Sequence, residues 1–437
     1  MKVTRNPLKT KHPQQDSCGC SHPHKRCRFQ APVVGYLHML PNELIFKIFH
    51  LTSAEDLSRV SITSVTLSQL VRSYISCNNG LRHFLTKYIL LLKDRNKDDK
   101  DIRLWDLFKR LGLLLKRSTF LLPTRERLMM MGRFVTKVYA ILQLEVLQNL
   151  QCFGHLYGKF TRGWSEKECR LAFLTVMEYF KIKPKLVAVL SSSPGTFPKA
   201  EYETRCLLRH VFLTGYTQVY DLQTYLDLIL KPYPLVHQAK ILYLLYGPAD
   251  SKRGVIGWYQ MSEALLDARR SMHHFSGMAI ALKSLYSHPA WTEGSVNSVL
   301  KELSDCPQEW TTLNMAKLLI LCGEDICFNF LVSIALNGKM REVANIFVTL
   351  SMIIKEEDLQ MKWLLNLVYK VCRALKNTHD VHSLLNAIPE LYKDLTVELQ
   401  EVPDAENYLN FADLAESQAE LLRELLHHSY KMNRLSL

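Results

Sequence analysis

The strongest structural signal in this chain is the stretch Leu40-Pro41-Asn42-Glu43-Leu44-Ile45-Phe46-Lys47-Ile48-Phe49. Pro41 stands where a first helical residue needs no amide donor, and the apolar residues that follow recur at helical spacing. We therefore expect a short helix with an apolar stripe on one face. The stripe consists of Leu44, Ile45, Ile48, Phe49 and Leu51.

Two further short helices are expected directly after the first. Ser53 with Asp56 three residues later is a capping-box-like start, because a Ser hydroxyl can accept a hydrogen bond from an otherwise unpaired amide. That helix carries Leu57 and Val60, and a third helix spans about 65–75. Three helices of roughly 40 residues bury little apolar surface, so they need a partner or a following domain to complete the core. The excess apolar face is the expected binding face.

This module resembles an F-box. The resemblance is carried by the Leu-Pro-x-Glu-Leu opening at 40–44 and by the Asp-Leu-x-x-hydrophobic-Ser spacing at 56–61. The third helix departs from the family, which usually shows Val-Cys-Lys-x-Trp where this chain has Thr63-Ser64-Val65-Thr66-Leu67. The alternative is the first helical hairpin of a larger all-α fold, which periodicity alone does not separate from an F-box.

The resemblance implies a substrate-recruiting adaptor of an SCF-type (Skp, cullin, F-box) E3 ubiquitin ligase, with no catalysis of its own. In that arrangement the F-box docks on the Skp adaptor, which links it to the cullin and RING subunits, while the C-terminal part holds an unknown protein substrate. We place the docking face at Leu40, Pro41, Leu44, Ile45, Ile48, Phe49, Leu57 and Val60. In a three-helix unit, about half of such residues should pack inside.

Tracts outside the F-box also resemble one vertebrate group of F-box proteins. They lie at 112–118, 121–128, 231–239 and 325–328. For this group the resemblance implies germ cells as the setting, with meiotic prophase and chromosome-associated targets as the context. The alternative function is a scaffold or chromatin-associated binding protein with a degenerate F-box outside any ligase, which the altered third helix would favour.

Length and composition predict the architecture. The 437 residues exceed one ordinary core, 48% of them are hydrophobic and 22% charged, and Leu-rich segments with helical spacing dominate from residue 81 onward. The expected fold class is all-α: a small three-helix F-box followed by an irregular, solenoid-like array of stacked helices. No regular repeat period is visible that would name a solenoid.

Breaks in the pattern divide the chain into four parts. Residues 1–34 are polar, basic and interrupted by prolines, which predicts a flexible leader. The F-box is placed at 36–80, with Asn78-Asn79-Gly80 as its closing turn, and a first helical block at 81–190. A Ser/Pro/Gly-rich loop follows at 191–198. The C-terminal helical domain at 200–437 is expected to bind the substrate or partner.

Two helix starts are legible inside the first helical block. Thr124, directly after a proline, is expected to cap one helix. Ser165 with Glu168 three residues later predicts a capping box at the start of another.

The leader contains a dense set of potential zinc ligands: Cys18, Cys20, His22, His24 and Cys27. Their Cys-x-Cys spacing and the lack of a second ligand pair differ from a structural zinc site. We therefore predict no metal and no cofactor, with these five residues as weak candidates. A disordered tail that chelates adventitiously is the default interpretation.

The sequence contains no catalytic signature. Phosphate-binding loops, dinucleotide fingerprints, nucleophile elbows, zinc-protease motifs and paired-cysteine RING patterns are all absent from it. We expect a non-catalytic protein, with an unrecognised helical active site as the alternative. The formal net charge of +13 is spread over short clusters without interleaved aromatics, so nucleic acid is not an expected partner.

Localisation follows from two absences and from the cysteines. The sequence shows neither an apolar secretory core nor an uninterrupted membrane span, so no membrane is expected. Eleven cysteines are scattered singly, which is typical of buried thiols in a reducing compartment. The nucleus, the cytoplasm or both are the expected locations.

Overall fold

The computed structural model describes residues 39–92, 97–214, 219–263, 268–357, 359–401 and 414–426. These residues are almost entirely helical, which confirms the all-α fold class. The helices are α1 (Asn42–Leu51), α2 (Ala54–Val60), α3 (Val65–Ser76), α4 (Asn78–Leu92), α5 (Lys97–Ser118), α6 (Thr124–Leu142), α7 (Val146–Thr161), α8 (Glu166–Tyr179), α9 (Ile182–Ser191), α10 (Pro198–Leu207), α11 (Val219–Leu230), α12 (Leu235–Tyr246), α13 (Ala268–Tyr286), α14 (Glu293–Ser304), α15 (Thr312–Cys322), α16 (Glu324–Leu336), α17 (Met340–Glu356), α18 (Met361–Ala374) and α19 (Thr378–Glu401). Residues 414–426 are also helical, and β1 (Ala249–Asp250) pairs antiparallel with β2 (Val255–Ile256).

The first three helices begin close to where the sequence signals them. Helix α1 starts one residue later than expected, at Asn42, with Pro41 as its N-cap. The hydroxyl of Ser53 accepts the amide of Asp56 at 3.1 Å, and Ser64 caps α3 in the same way. Serine caps therefore set the starts of α2 and α3, whereas α1 begins after Pro41 without a side-chain cap.

Tyr74 is the centre of the core of this module. The side chain is fully buried, and its ring packs against Phe46, Phe49 and Phe84 with centroids 5.3, 5.4 and 5.6 Å away. Its hydroxyl is 2.8 Å from Nδ1 of His50. Aromatic pairs at such distances contribute about 0.5–1.5 kcal/mol each beyond their burial. Because Phe84 belongs to α4, a fourth helix completes the core that α1–α3 begin.

The turn expected at Asn78-Asn79-Gly80 is wrong. The chain bends at Cys77, whose backbone is extended, and Asn78 already begins α4. A side chain at position 80 would overlap the carbonyl oxygen of Tyr74, so Gly80 allows α4 to approach α3 closely. The glycine at position 80 therefore serves the close contact between α3 and α4, and it does not form a turn.

Polar contacts fix the module to the following helices. The hydroxyl of Ser68 in α3 donates to the carbonyl oxygen of Ser118 at 2.9 Å. The guanidinium of Arg117 in α5 donates to the hydroxyl of Ser58 in α2 at 3.0 Å. Two of the three module helices are thereby bonded to the end of α5.

Helix α7 crosses two neighbours at glycines. A side chain at Gly112 in α5 would overlap the carbonyl oxygen of Leu156, and one at Gly154 would overlap that of His210. His210 belongs to Leu208–Leu213, a π-helical segment that continues α10. The first helical block therefore packs directly on the segment that follows α10.

Two histidines near this crossing give a pH-dependent stability. Burial lowers the pKa of His155 and of His210 to about 4, assisted by Lys109 for the former and by Arg209 and Arg205 for the latter. The unfolded pKa is about 6.5, so the unfolded chain takes up these protons first as the pH falls. The stability that neutral His155 and His210 contribute is therefore expected to be fully present above about pH 6.5 and to be lost as the pH falls towards about 4. We expect a loss of about 1–2 kcal/mol per histidine, reduced by partial exposure, in urea unfolding.

The matched variant carries His155→Gln and His210→Gln. Carboxylates also titrate at the acidic end of this range, and they are common to both chains. The unfolding free energy of the variant should therefore depend less on pH between 6.5 and 4 than that of the native chain. If both chains showed the same pH dependence, His155 and His210 would not be the source of the loss of stability.

The C-terminal helices form a stacked array. From α11 onward each helix packs on the helix two places further along the chain, up to α17 with α19. This is the connectivity of a solenoid, in which each unit contacts its neighbours. The helices α13, α15, α17 and α19 begin at Ala268, Thr312, Met340 and Thr378, which are unevenly spaced. The predicted irregular, solenoid-like array is confirmed.

The loop between α9 and α10 is anchored by buried side chains. Lys240 of α12 donates to the carbonyl oxygens of Val189 and Ser192, the former at 2.7 Å. The carboxylate of Glu201 accepts the amide of Gly195 at 2.9 Å. The loop lies where the sequence places it, and the division of the chain at this loop stays a prediction.

The described residues were predicted to contain no membrane span and to have free thiols. Within the described ranges, no helix combines the length and apolar character needed to cross a membrane. The cysteines of the same ranges form no disulfide, and burial raises the pKa of the Cys322 thiol to about 12. That thiol is therefore protonated near neutral pH.

Candidate adaptor-docking surface

The outward face of α1 is the first part of the site. Leu40, Leu44 and Ile48 are 36%, 43% and 42% exposed, and Leu51 at the end of the helix is 89% exposed. The spacing of residues 44, 48 and 51 aligns them on one side of the helix. A single exposed leucine needs no explanation, but an aligned apolar row indicates an interaction surface.

A groove of about 190 Å³ lies beside this row, between α1, α2 and α3. Its lining is mainly apolar and includes Ile45, Ile48, Phe49, Leu57, Val60, Leu67 and Leu70. Leu67 stands where the F-box family usually has tryptophan. At that position the wall of the groove is therefore an aliphatic side chain instead of an aromatic one. An apolar side chain of a partner would fit this groove.

The eight predicted docking residues fall into two groups. Leu40, Pro41, Leu44 and Ile48 are exposed, and Val60 is partly exposed. Ile45, Phe49 and Leu57 are buried in the core, at most 5% exposed. These three shape the groove and present little area to a partner. The docking role of all eight residues stays a prediction.

A second concave surface lies on the other side of the turn between α2 and α3. This Phe120 hollow has a volume of about 490 Å³ and is lined by residues 61–66, Ser68, Lys116, Arg117, Phe120 and Leu121. Ile62, Val65, Phe120 and Leu121 are each 55–69% exposed. Sequence reasoning missed this surface, although the apolar pair Phe120-Leu121 outside any helix was a usable signal.

The weak metal candidates Cys18, Cys20, His22, His24 and Cys27 lie outside the described residues. In the part of the chain that is described, no group of three or more His, Cys, Asp or Glu side chains could hold a metal ion. The candidate site consists of apolar surfaces and charged side chains.

The fold and this surface define a class: an all-helical protein in which a three-helix module of F-box type stands beside a stacked helical array. The family described as "FBXO47, ARM repeats" matches residues 179–434. F-box only protein 47 of Mus musculus is 34% identical over 417 residues, covering 92% of this chain and 91% of that protein. F-box only protein 47 of Homo sapiens is 33% identical over 409 residues, covering 90% and 89%. This chain belongs to the F-box only protein 47 family.

No solved structure matches the chain. The resemblance to the F-box family is nevertheless confirmed by the curated relatives, and the array is an ARM-repeat domain. F-box proteins are generally non-catalytic adaptors that bind a Skp subunit, so membership fixes the general class of this protein.

Proposed function

We propose that this chain is the substrate-recognition subunit of an SCF-type E3 ubiquitin ligase. The F-box docks on the Skp adaptor, which connects it to the cullin and RING subunits. The ARM-repeat array recruits a protein substrate for ubiquitination and degradation. The observation that carries the proposal is the exposed row of Leu40, Leu44 and Ile48 beside an apolar groove, in a module with the Leu-Pro-x-Glu-Leu opening.

The mechanism we propose is positioning. The bonds from Ser68 to Ser118 and from Arg117 to Ser58 fix the module to α5, and α7 connects that block to the segment after α10. A substrate held by the array would therefore stand at a defined distance from the docked adaptor. Holding a target lysine near the ubiquitin thioester raises its effective concentration without any residue of this chain entering the reaction.

The cellular setting is part of the proposal. It consists of germ cells in meiotic prophase with chromosome-associated targets, as the resemblance implies, and of residence in the nucleus, the cytoplasm or both, for which the singly scattered cysteines of the sequence are the support. The alternative is a scaffold or chromatin-associated protein outside any ligase. The altered third helix, with Leu67 in place of a larger aromatic anchor, favours that alternative.

The test is reconstitution. Tagged full-length chain is expressed with the Skp adaptor and then mixed with the cullin and RING subunits. We expect the adaptor to co-purify in an equimolar complex that recruits the cullin in size-exclusion chromatography. If the native chain recovers no adaptor, the ligase proposal is overturned and the scaffold interpretation gains support.

A further inference from the structure

We infer that the Phe120 hollow is a second docking surface for the Skp adaptor. The adaptor would then contact the end of α5 and the turn after it, in addition to the F-box helices. This inference rests on the proposed ligase function and extends the docking site to Lys116, Arg117, Phe120 and Leu121, which lie outside the F-box.

Four exposed apolar side chains surround the Phe120 hollow. Ile62 and Val65 come from the module, while Phe120 and Leu121 come from the following block, and all four are more than half exposed around one concavity. Scattered apolar side chains are normal on a surface, whereas a cluster around a hollow indicates a binding site. A partner that fills the hollow removes four large apolar side chains from water at once.

The charged residues of the Phe120 hollow are basic. Lys116 and Arg117 line the hollow, and none of its described lining residues is acidic. Burial, followed by the charges of Arg127, Arg162, Arg117 and Lys159, lowers the pKa of Lys116. Several positive charges therefore surround Lys116, of which that of Arg127 is partly offset by the carboxylate of Glu168 at 3.8 Å. The complementary partner presents acidic side chains around an apolar one.

The Phe120 hollow is continuous with the docking groove. Thr63 lines both the groove and the Phe120 hollow, which meet at the turn between α2 and α3. One partner can therefore cover both surfaces. The bonds of Arg117 to Ser58 and of Ser68 to Ser118 fix the two sides of the hollow before binding, which reduces the entropy lost on association.

The chemistry and the position together select the occupant. A protein that docks on the exposed row of α1 and fills the groove reaches the hollow directly, which favours the adaptor over a substrate held by the array. The additional apolar and charged contacts would strengthen adaptor binding by an F-box whose third helix has Leu67 where the family usually has tryptophan.

The experiment measures the affinity of the full-length chain for purified Skp adaptor by isothermal titration calorimetry. Phe120→Ser combined with Leu121→Ser should weaken binding about 10- to 100-fold, because large apolar side chains near the centre of an interface carry much of its affinity. Both residues are exposed, so the thermal midpoint should stay unchanged. The matched control is Met129→Ser with Leu174→Ser, two half-exposed residues of α6 and α8. This control should bind like the native chain.

A second variant tests the charge argument separately. Arg162 is exposed and its carbonyl oxygen accepts a hydrogen bond from the ammonium of Lys116, so Arg162→Glu reverses one charge beside the hollow without removing an apolar contact. Binding should weaken several-fold, and this loss should shrink at high salt.

The outcomes separate the two proposals. Native binding that Phe120→Ser with Leu121→Ser leaves unchanged overturns this inference and leaves the ligase proposal intact. Equal weakening by the Met129 and Leu174 control also overturns it. Failure of the native chain to bind the adaptor overturns the ligase proposal and this inference together.

Discussion

Adaptor binding should fall at least about 100-fold when Leu44→Asp and Ile48→Asp are combined. Both side chains point outward from α1, so the substitutions remove little from the core. In the complex, however, two carboxylates would be placed against an apolar surface, where an unpaired charge is strongly unfavourable. A 100-fold loss corresponds to about 2.8 kcal/mol, which is within the range of two interface anchors. Titration calorimetry with the purified adaptor measures it.

The control must carry the same charges at equally exposed positions. Met129→Asp with Leu174→Asp meets this condition, because these residues are 51% and 50% exposed on helices outside the F-box. The control should keep native affinity, and both double variants should keep a thermal midpoint near that of the native chain. Retained binding by the Leu44 and Ile48 variant would show that the adaptor docks elsewhere.

The choice between outward and inward residues matters for this experiment. Ile45 and Phe49 lie on the same short helix as Leu44 and Ile48, but they are 3% and 5% exposed and pack into the core. A charge at either buried position would unfold the module, and the loss of binding would then carry no information about the docking face.

The buried and the exposed face of α1 could not be told apart from the sequence. The helix spacing predicted the apolar residues of α1 correctly, but it does not separate the side that packs on Tyr74 from the side that faces solvent. Both sides are apolar, so the spacing of the apolar residues does not mark a boundary between the buried and the exposed side. Only the packing of α3 and α4 assigns Ile45 to the core and Leu44 to the surface.

Local signals succeeded where the interaction itself is local. Ser165 and Glu168 form the predicted capping box at α8. The prediction for Thr124 is wrong, because Pro123 occupies the N-cap of α6 and the Thr124 hydroxyl donates to the carboxylate of Glu168 at 3.1 Å. That carboxylate is 44 residues away in the chain, and capping rules do not address contacts over such a separation.

The sequence did not reveal the Phe120 hollow or the regular stacking of the array, each for its own reason. Phe120 and Leu121 become part of a hollow only because Ser118 and Arg117 are bonded to the module. The sequence shows no regular repeat period, and the helices α11–α19 of the ARM-repeat array differ in length, from 11 residues in α15 to 24 in α19. Unequal helices hide a repeat from a search for a fixed period, although the stacking order is regular.

Lys240→Met should cause the largest loss of stability among the single substitutions considered. The buried ammonium donates to the carbonyl oxygens of Val189, Leu190 and Ser192, the first two at 2.7 and 3.3 Å. These groups end α9 and have no partner within their own helix. Methionine keeps most of the apolar stem but removes the ammonium from all three carbonyl oxygens, of which that of Val189 keeps the hydroxyl of Ser192 as a donor at 3.2 Å. Each unsatisfied buried group costs about 1–3 kcal/mol, partly offset because no ammonium is buried.

The expected net loss is about 3 kcal/mol, measured as a lower urea midpoint. Glu201→Gln is the informative comparison, because the amide oxygen can still accept from Gly195 or from the indole of Trp258, which donates to Glu201 at 2.7 Å. That variant should lose only about 1 kcal/mol. Since Lys240 holds the loop that joins α9 to α10, Lys240→Met should also make residues 192–197 the first site of limited proteolysis. A urea midpoint equal to the native one would mean that the three carbonyl oxygens find other donors when the ammonium is removed.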